Sequence, residues 1–337
     1  MVQNSEIYKY NPFISLMKLD LYDKKLLYYL DIDSRSSLRS LGKKVRLSKN
    51  AVNNRLKKLM SKGVIRQAYS VLNVKKLGYS YFKIYFKLQD TTEEKEKEII
   101  DYFVKNTPSL WINTWDGRYD LMVGILAKSV DSFYEILNTS INKFRKHFQS
   151  YDIYIVINAP HFKKDYLIDE VNESNMEEFG GIYDTVNLDK IDEKILRILS
   201  TNARIQLVDL AKEINTTIDV ARYRVKKFKE TGILQGHRIL IDYAKLGYQL
   251  YKVLITTQNM DEETEKKMIT YSAMQPNVAD IIIKGIGPWN IELQIDAKNN
   301  QDFHKIFKGF KDHFKDVIKN HETMTMVKEY KMNYYPF

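Results

Sequence analysis

One segment of the chain combines amide and cationic side chains at helical spacing. Between Leu47-Ser48 and Gly63, the apolar residues Val52, Leu56 and Leu59 recur at i, i+4 and i+7, which predicts a helix with one buried stripe. An Asn side chain can bond to both N6 and N7 of adenine, and Lys and Arg neutralise phosphates. We therefore expect DNA contacts from the polar residues of this helix, which are Ser48, Lys49, Asn50, Asn53, Asn54, Arg55, Lys57 and Lys58.

The basic charge of the chain is concentrated around this helix. The net charge is +10, and residues 34–89 contain fifteen Lys or Arg and no Asp or Glu. Residues 165–189 contain eight acids and no Lys or Arg. A local basic surface is the electrostatic pattern that nucleic acid binding requires, whereas an ordinary solvated helix face would also carry acids.

Two more helices and a β-prone stretch surround the polar helix. Asp20 can cap a helix that carries Leu26, Leu27 and Leu30, and a second short helix is predicted over 37–44. After Gly63, the segments 64–66 and 68–72 predict the two short strands of a wing, which would place Arg66 beside the DNA backbone. Three helices and a wing form a winged helix-turn-helix domain.

The apolar period changes from 3.6 to 2 after residue 78. Phe82, Ile84 and Phe86 alternate with polar and aromatic neighbours, which predicts a strand. Helices are predicted over 93–105 and 131–148, and strands near 110–115, 119–126 and 153–157. The order βαββαβ is the ferredoxin-like plan, with helices on one sheet face and the other face left for a partner. We therefore expect self-association through these sheets.

The chain contains an internal duplication. At an offset of 169 residues, Gly63 and the segment 76–79 recur as Gly232 and 245–248, and after one inserted residue the offset becomes 170. The predicted fold class is α+β, with two winged helix-turn-helix domains, each followed by a ferredoxin-like domain. The predicted boundaries are 16–78 and 79–168 for the first copy, 169–186 for an acidic linker, and 187–247 and 248–337 for the second copy. The linker length allows the copies either to dock or to sit apart.

The second polar helix differs in charge from the first. Asp219 stands where the first helix has Asn50, and residues 203–259 contain ten bases and five acids. We therefore expect the second copy to bind DNA more weakly or to read a different sequence. The residues expected to contact DNA in this copy are Thr217, Arg222, Tyr223, Arg224, Lys226, Lys227 and, in the wing, Arg238.

The helix motifs resemble those of the Lrp/AsnC (leucine-responsive regulator) family. The resemblance covers both copies, roughly residues 18–168 and 187–337. It implies a winged DNA-reading domain joined to a sensor domain that binds a small molecule and oligomerises. A fused pair then looks like a covalent dimer with two different readers. In the first copy the matching residues are Asp20, Asp23, Leu47-Ser48, Val52, Arg55-Leu56, Leu59 and Gly63-Val64-Ile65.

The resemblance also implies an effector site. In the family, a strand–turn–strand Gly-x-[Tyr/Phe]-Asp lies near the small-molecule site, and here Gly117, Tyr119 and Asp120 match it. The second copy has Gly287 and Asn290, so it lacks the carboxylate that could receive the amino group of an amino acid. An amino acid effector is therefore expected in the first copy, and a plain tight turn is the alternative.

Catalytic motifs are weak in this sequence. Six histidines are scattered without metal-ligand spacing, there is no cysteine, and Gly285-Ile286-Gly287 is only half of a dinucleotide fingerprint. We expect a cytoplasmic regulator of double-stranded DNA, not an enzyme, with no cofactor, metal or membrane span. Two alternatives stay open. One is a protein that coats DNA non-specifically, and the other is a sirohaem decarboxylase-like enzyme, which would need a basic pocket lined by histidine.

Overall fold

The computed structural model describes residues 16–168, the backbone of 177–180, residues 184–282 and residues 284–337. The chain begins with a three-helix head formed by α1 (Leu21–Ile32), α2 (Leu38–Val45) and α3 (Lys49–Ser61). Asp20, Ser37 and Ser48 cap these helices by accepting hydrogen bonds from backbone N–H groups of the first turn. The predicted helices of the first head are therefore confirmed, with ends shifted by a residue or two.

The wing of the first head is a single strand, β1 (Ile65–Leu72). The prediction of two short strands over 64–66 and 68–72 is wrong, because residues 65–72 form one continuous strand. The partner of β1 lies in the second copy, because apolar and aromatic residues along β1, such as Val71 and Leu72, are buried in a core that both copies share.

A ferredoxin-like domain follows, as predicted. Its elements are β2 (Ser80–Leu88), α4 (Glu93–Asn106), β3 (Ser109–Asp116), β4 (Leu121–Ala127), α5 (Val130–Phe144) and β5 (Phe148–His161). The strands lie in the order β5-β2-β4-β3. Phe82, Ile84 and Phe86 are buried beneath the helices, and Tyr81 and Tyr85 point to the opposite, inner face.

The predicted linker falls mostly outside the described residues. Within it, β6 (Glu177–Gly180) pairs with β5, and Val186 donates its backbone N–H to the carbonyl oxygen of Lys76. Part of this segment therefore belongs to the sheet, which the acidic composition did not indicate.

The second copy repeats the first. Its head contains α6 (Lys190–Leu199), α7 (Leu207–Glu213), α8 (Ile218–Glu230) and the strand β7 (Leu234–Ile241). Its α+β domain contains β8 (Gln249–Thr257), α9 (Glu262–Ala273), β9 (Val278–Ile282), β10 (Lys284–Ile286), β11 (Ile291–Ala297), α10 (Asn300–His313) and β12 (Ile318–Met332).

The two copies dock tightly. β1 and β7 pair antiparallel as a two-stranded ribbon, and β3 pairs with β12 at one edge of the α+β domains. At the other edge β5 pairs with β10 and β9, so the ten-stranded sheet closes on itself with the helices outside. The inner sheet faces, which we expected to receive a partner, cover each other within one chain.

The helices of the described part are short or polar. None combines the length and apolar character that crossing a lipid bilayer requires.

Candidate DNA interface and the seam between the copies

Helix α3 presents the polar face that the sequence predicted. Val52 and Leu59 are fully buried and fix the rotation of the helix about its axis. Lys49, Asn50, Asn54, Lys57 and Lys58 are exposed, and Asn53 is half-buried. Within the described part of the chain, none of these side chains makes a hydrogen bond or ion pair. Their donors and acceptors are therefore available to a ligand.

Arg55 holds the head together. Its Nη1 lies 2.7 Å from a carboxylate oxygen of Asp20 and 2.7 Å from one of buried Asp23. The bond to Asp23 raises the pKa of Arg55, although burial opposes the rise. Arg224 makes the equivalent pairs with Asp189 and Asp192 at 2.6 and 2.7 Å. Both arginines therefore lock the third helix onto the first, a role that the sequence reading did not assign to them.

The face of α8 is less positive than that of α3. Arg222 is ion-paired with Asp219, and Lys226 lies 3.4 Å from Glu230. Tyr223 is 66% exposed, Lys227 is exposed, and Thr217 caps the helix. Part of the cationic charge is thus neutralised in the second head.

The two wing arginines do not face outward. Arg66 pairs with Glu329 at 2.8 Å, and its side chain is 17% exposed. Arg238 is buried, lies 2.5 Å from Asp31 and donates to the carbonyl oxygen of Phe162 at 3.0 Å. The prediction that Arg238 contacts DNA is wrong. Because β7 pairs with β1 instead of folding as a separate hairpin, this side chain turns inward.

The third helix of each head, α3 or α8, is its recognition helix, and the C-terminal end of each is held by a lysine of the other copy. Lys245 Nζ donates to the carbonyl oxygen of Lys62, which caps α3, at 2.7 Å. Lys76 Nζ donates to the carbonyl oxygen of Thr231, which caps α8, at 2.5 Å. A cation at a helix C-terminus also complements the helix dipole. Lys76 and Lys245, from the repeated segments 76–79 and 245–248, thus fix the two recognition helices relative to one another.

A reciprocal arginine contact joins the turns after α1 and α6. Arg35 Nη1 donates to the carbonyl oxygen of Ala203 at 2.6 Å, and Arg204 donates to that of Ser34. Burial lowers the pKa of both arginines. Their match at the 169-residue offset was the sequence signal for this contact, which our sequence reading missed.

A charged cluster lies between the two inner sheet faces. Lys83 Nζ and Lys252 Nζ lie 2.6 and 3.2 Å from Glu292 Oε2, and Tyr85 donates to Oε1 at 2.8 Å. Burial alone would raise the pKa of Glu292, but Lys252 and Lys83 outweigh it and lower the value to about 2. Burial lowers the pKa of Lys252 to about 8. Trp111 lies 5.0 Å from Lys252 and helps to stabilise its charge.

The predicted effector turns have structural partners. Asp120 accepts from the backbone N–H of Leu88 at 2.7 Å and from Lys87 Nζ at 2.8 Å. Asn290 accepts from the backbone N–H of Thr257 at 2.8 Å in the equivalent place. The shared task is to accept a backbone hydrogen bond, which explains why the second copy can have an amide instead of a carboxylate.

The glycines of these turns lie against the other copy. A Cβ at Gly117, where φ is +140°, would lie 3.2 Å from the carbonyl oxygen of Thr323. A Cβ at Gly287 would lie 2.9 Å from that of Ile153. Buried Tyr119 donates to Asp152, and burial raises its pKa. Docking of the copies therefore accounts for the Gly-x-x-[Asp/Asn] pattern, and effector binding there stays a prediction.

A cavity of about 110 Å³ lies between the β1–β7 ribbon and the inner face of the sheet. Residues of both copies line it, among them Lys83, His161, Lys164, Arg238 and Asp280. Burial lowers the pKa of His161 to about 3, so its imidazole is neutral near pH 7. Over the described ranges, no group of His, Asp and Glu is arranged to hold a metal ion.

Comparison with known proteins identifies the heads. The family profile described as winged helix-turn-helix DNA-binding matches residues 19–66 and 188–235. An HTH-type transcriptional regulator of Pyrococcus furiosus is 32% identical over 125 residues, which are 37% of this chain and 82% of that protein. The regulatory protein AsnC of Haemophilus influenzae is 26% identical over 144 residues, 41% of this chain and 90% of that protein.

The chain belongs to the Lrp/AsnC family of DNA-binding transcription regulators. The crystal structure of the siroheme decarboxylase NirDL covers 93% of this chain and 93% of its own, with a TM-score of 0.61 and 14% sequence identity. This likeness shows that the fold of both copies is shared. In this member of the Lrp/AsnC family, the candidate DNA interface consists of the exposed face of α3 and the less positive face of α8.

Proposed function

We propose that this Lrp/AsnC member is a sequence-specific regulator in which one chain acts as a covalent pseudo-dimer. The observation that carries the proposal is the face of α3, where Asn50, Asn54, Lys57 and their neighbours are exposed and free of carboxylates. Amides that are not engaged within the protein can bond to base edges, and the adjacent ammonium groups can hold phosphates. The cross-bracing lysines support a fixed geometry for both heads.

The two heads would read different half-sites. Arg222 and Lys226 are paired with acids of α8 itself, which reduces the positive charge of that helix, whereas α3 contains no Asp or Glu. Affinity from counterion release scales with the number of phosphates neutralised. We therefore infer that α3 supplies most of the affinity and that the operator is asymmetric.

The deciding experiment is selection from random duplex DNA at a stated salt concentration. The wild-type chain should enrich one asymmetric site, and the variant with Asn50, Asn53 and Asn54 all changed to Ala should lose the enrichment. Affinity that depends on salt but barely changes between sequences would instead support the non-specific DNA-coating alternative. Repeating the selection with amino acids present tests effector responsiveness.

The decarboxylase alternative has less support from the geometry. The NirDL protein has been crystallised with an iron-uroporphyrin III analogue. In this chain His161 and three cations line the cavity of about 110 Å³, which is far below the roughly 300 Å³ that even a drug-sized ligand needs. A larger cleft of about 1050 Å³ lies beside the C-terminal end of α3, but no histidine is among the described residues that line it. The proposed function therefore includes no enzyme activity and no resident cofactor.

We infer that any association between whole chains uses surfaces other than the inner sheet faces. Those faces are covered within one chain, so a second chain would have to dock elsewhere. Sedimentation of the chain with and without operator DNA tests this point.

A further inference from the structure

The cavity between the β1–β7 ribbon and the sheet has the size and walls of a site for one aromatic ring. Its volume of about 110 Å³ is of the same order as that of cavities of about 150 Å³ that hold benzene, so the space allows no more than a single ring. Tyr81 and Trp111 line it from the sheet, and Tyr69 lines it from the ribbon. These side chains offer flat apolar surfaces that suit a planar ring.

Asp280, which lines the cavity, has one carboxylate oxygen without a hydrogen-bond donor among the described residues. Asp280 is 8% exposed; its Oδ2 accepts from Gln294 Nε2 at 2.9 Å and lies 3.5 Å from His161 Nδ1. Its Oδ1 is buried and has no hydrogen-bond partner. Leaving a buried carboxylate oxygen unpaired costs free energy, which a ligand with an N–H or O–H group would offset.

The cavity also carries a cation without an anion. Lys164 is 8% exposed, and its Nζ lies 5.0 Å from the centre of the Tyr243 ring. Among the described residues it has no carboxylate within 4 Å and no hydrogen-bond acceptor. A ligand carboxylate would supply the missing charge.

We propose that this cavity binds a single-ring aromatic carboxylate whose ring bears an N–H or O–H donor. Its carboxylate would pair with Lys164, its donor would bond to Asp280 Oδ1, and its ring would lie against the aromatic walls. The inference rests on three observations at one cavity within the described part of the chain: a lysine without a counter-charge, a carboxylate oxygen without a donor, and a volume that allows a single ring.

The site is placed to influence the heads. Arg238 lines the cavity and also pairs with Asp31 of α1 at 2.5 Å, and Tyr69 lies on the strand that leaves α3. A bound ring would therefore touch the ribbon that continues from both recognition helices. This coupling rests on the proposed DNA-binding function, whereas ligand binding itself does not.

The first test uses the full wild-type chain and three probes in isothermal titration calorimetry. 4-Aminobenzoate carries the carboxylate, the ring and the donor, benzoate lacks the donor, and aniline lacks the carboxylate. We expect 4-aminobenzoate to bind once per chain and at least tenfold more tightly than either partial probe. Equal affinities for all three probes, or no binding by any of them, would overturn the proposal. Phenylalanine is titrated in the same way as a fourth compound, and tighter binding of phenylalanine than of 4-aminobenzoate would also overturn it.

The second test uses variants. Lys164→Met and Asp280→Asn should each weaken 4-aminobenzoate binding at least tenfold, while Lys319→Met and Asp312→Asn, at exposed positions, should leave it unchanged. Melting temperatures check that each variant is folded. If a variant does not fold, the calorimetry of the wild-type chain with the different probes still tests the proposal. Wild-type affinity in a folded Lys164→Met variant would contradict the assignment.

The third test separates ligand binding from DNA binding. Binding of 4-aminobenzoate is first measured by calorimetry without DNA, and operator affinity is then measured with and without the probe. We expect at least a threefold change in operator affinity. Binding without any change in DNA affinity would refute the coupling, and failure to bind any DNA would count against the proposed function while leaving the calorimetry intact.

Discussion

Lys83 Nζ lies 2.6 Å from Glu292 Oε2, so an ion pair between the two copies is buried between their sheets. Lys252 is the repeat counterpart of Lys83 and binds the same carboxylate. The repeat counterpart of Glu292 is Met122, so only the second copy supplies an acid. Two first copies docked in this way would bury two lysines with no counter-charge. The cluster therefore favours pairing of a first copy with a second copy.

Removing the shared acid should destabilise the chain strongly. In Glu292→Gln two buried ammonium groups lose their counter-charge, and we expect the free energy of unfolding to fall by about 3–5 kcal/mol. Urea denaturation at pH 7 measures it. The exposed pair of Lys267 and Glu263, 2.7 Å apart, provides the control, because Glu263→Gln should cause no measurable change.

A triple replacement checks the cause of that loss. Changing Lys83, Lys252 and Glu292 together to Met removes all the buried charges at once and should recover most of the stability. If the triple variant were as unstable as Glu292→Gln, packing rather than charge would explain the loss.

The exposed amides of α3 should determine sequence preference. We expect Asn54→Ala to cost about 1–3 kcal/mol at one base position and little elsewhere. Titration of operator variants that differ at single positions measures this. Asn142→Ala, on α5 far from the heads, is the matched control. An unchanged preference in the triple variant of Asn50, Asn53 and Asn54 would refute this assignment.

The salt dependence of binding should distinguish exposed cations from those engaged within the protein. Lys57→Ala and Lys58→Ala should each lower affinity for all sequences and reduce the slope of log K against log salt by about one unit. Arg66→Ala should leave the slope nearly unchanged, because its guanidinium is paired with Glu329 at 2.8 Å. A slope reduced equally by all three variants would mean that Arg66 leaves Glu329 when DNA binds.

Local chemistry made most of the fold predictable. Capping residues such as Ser48, the i, i+4, i+7 stripe of α3 and the alternation along β2 are encoded within a few residues, and the sequence repeat doubled each signal. The exposed face of α3 followed directly from the same stripe. The heads and the βαββαβ order could therefore be read from periodicity alone.

The contacts between the two copies could not be predicted in the same way. Arg238 and Arg66 were assigned to a wing because two short β-prone stretches follow the third helix in each copy. Here β1 pairs with β7, which lies about 170 residues away, and no local pattern specifies that choice. The buried cluster around Glu292 likewise depends on which strands face each other. Lys83 on a strand otherwise flanked by aromatics was the one available signal.

Stability should decrease in mild acid because of a buried histidine. Burial lowers the pKa of His237 to about 4, from an ordinary value of 6.5, and its Nδ1 lies 3.0 Å from Ser70 Oγ. Between these values the unfolded chain binds a proton that the folded chain excludes. Stability is therefore complete above pH 6.5 and falls by up to about 3 kcal/mol as the pH drops to 4.

Denaturation midpoints measured between pH 4 and 7 test this expectation. His237→Gln should flatten the profile, while His304→Gln, at an exposed position, should not. An identical acid profile in wild type and His237→Gln would assign the effect to other groups, such as His161, whose pKa is also lowered.

The cross-braces should set the spacing of the DNA site. Because Lys245 and Lys76 tie each recognition helix to the other copy at 2.7 and 2.5 Å, the heads are held in one relative position. Two heads that read one face of a duplex insert at major grooves about 34 Å apart, or a multiple of that distance. Hydroxyl-radical footprints should therefore show two protected patches separated by whole helical turns.

Inserting five base pairs between the two patches should weaken binding at least tenfold, and inserting ten should weaken it less. In a Lys76→Met, Lys245→Met variant the penalty for five base pairs should shrink, because the heads can then turn. A single protected patch, or equal penalties in wild type and variant, would show that the braces do not fix the operator spacing.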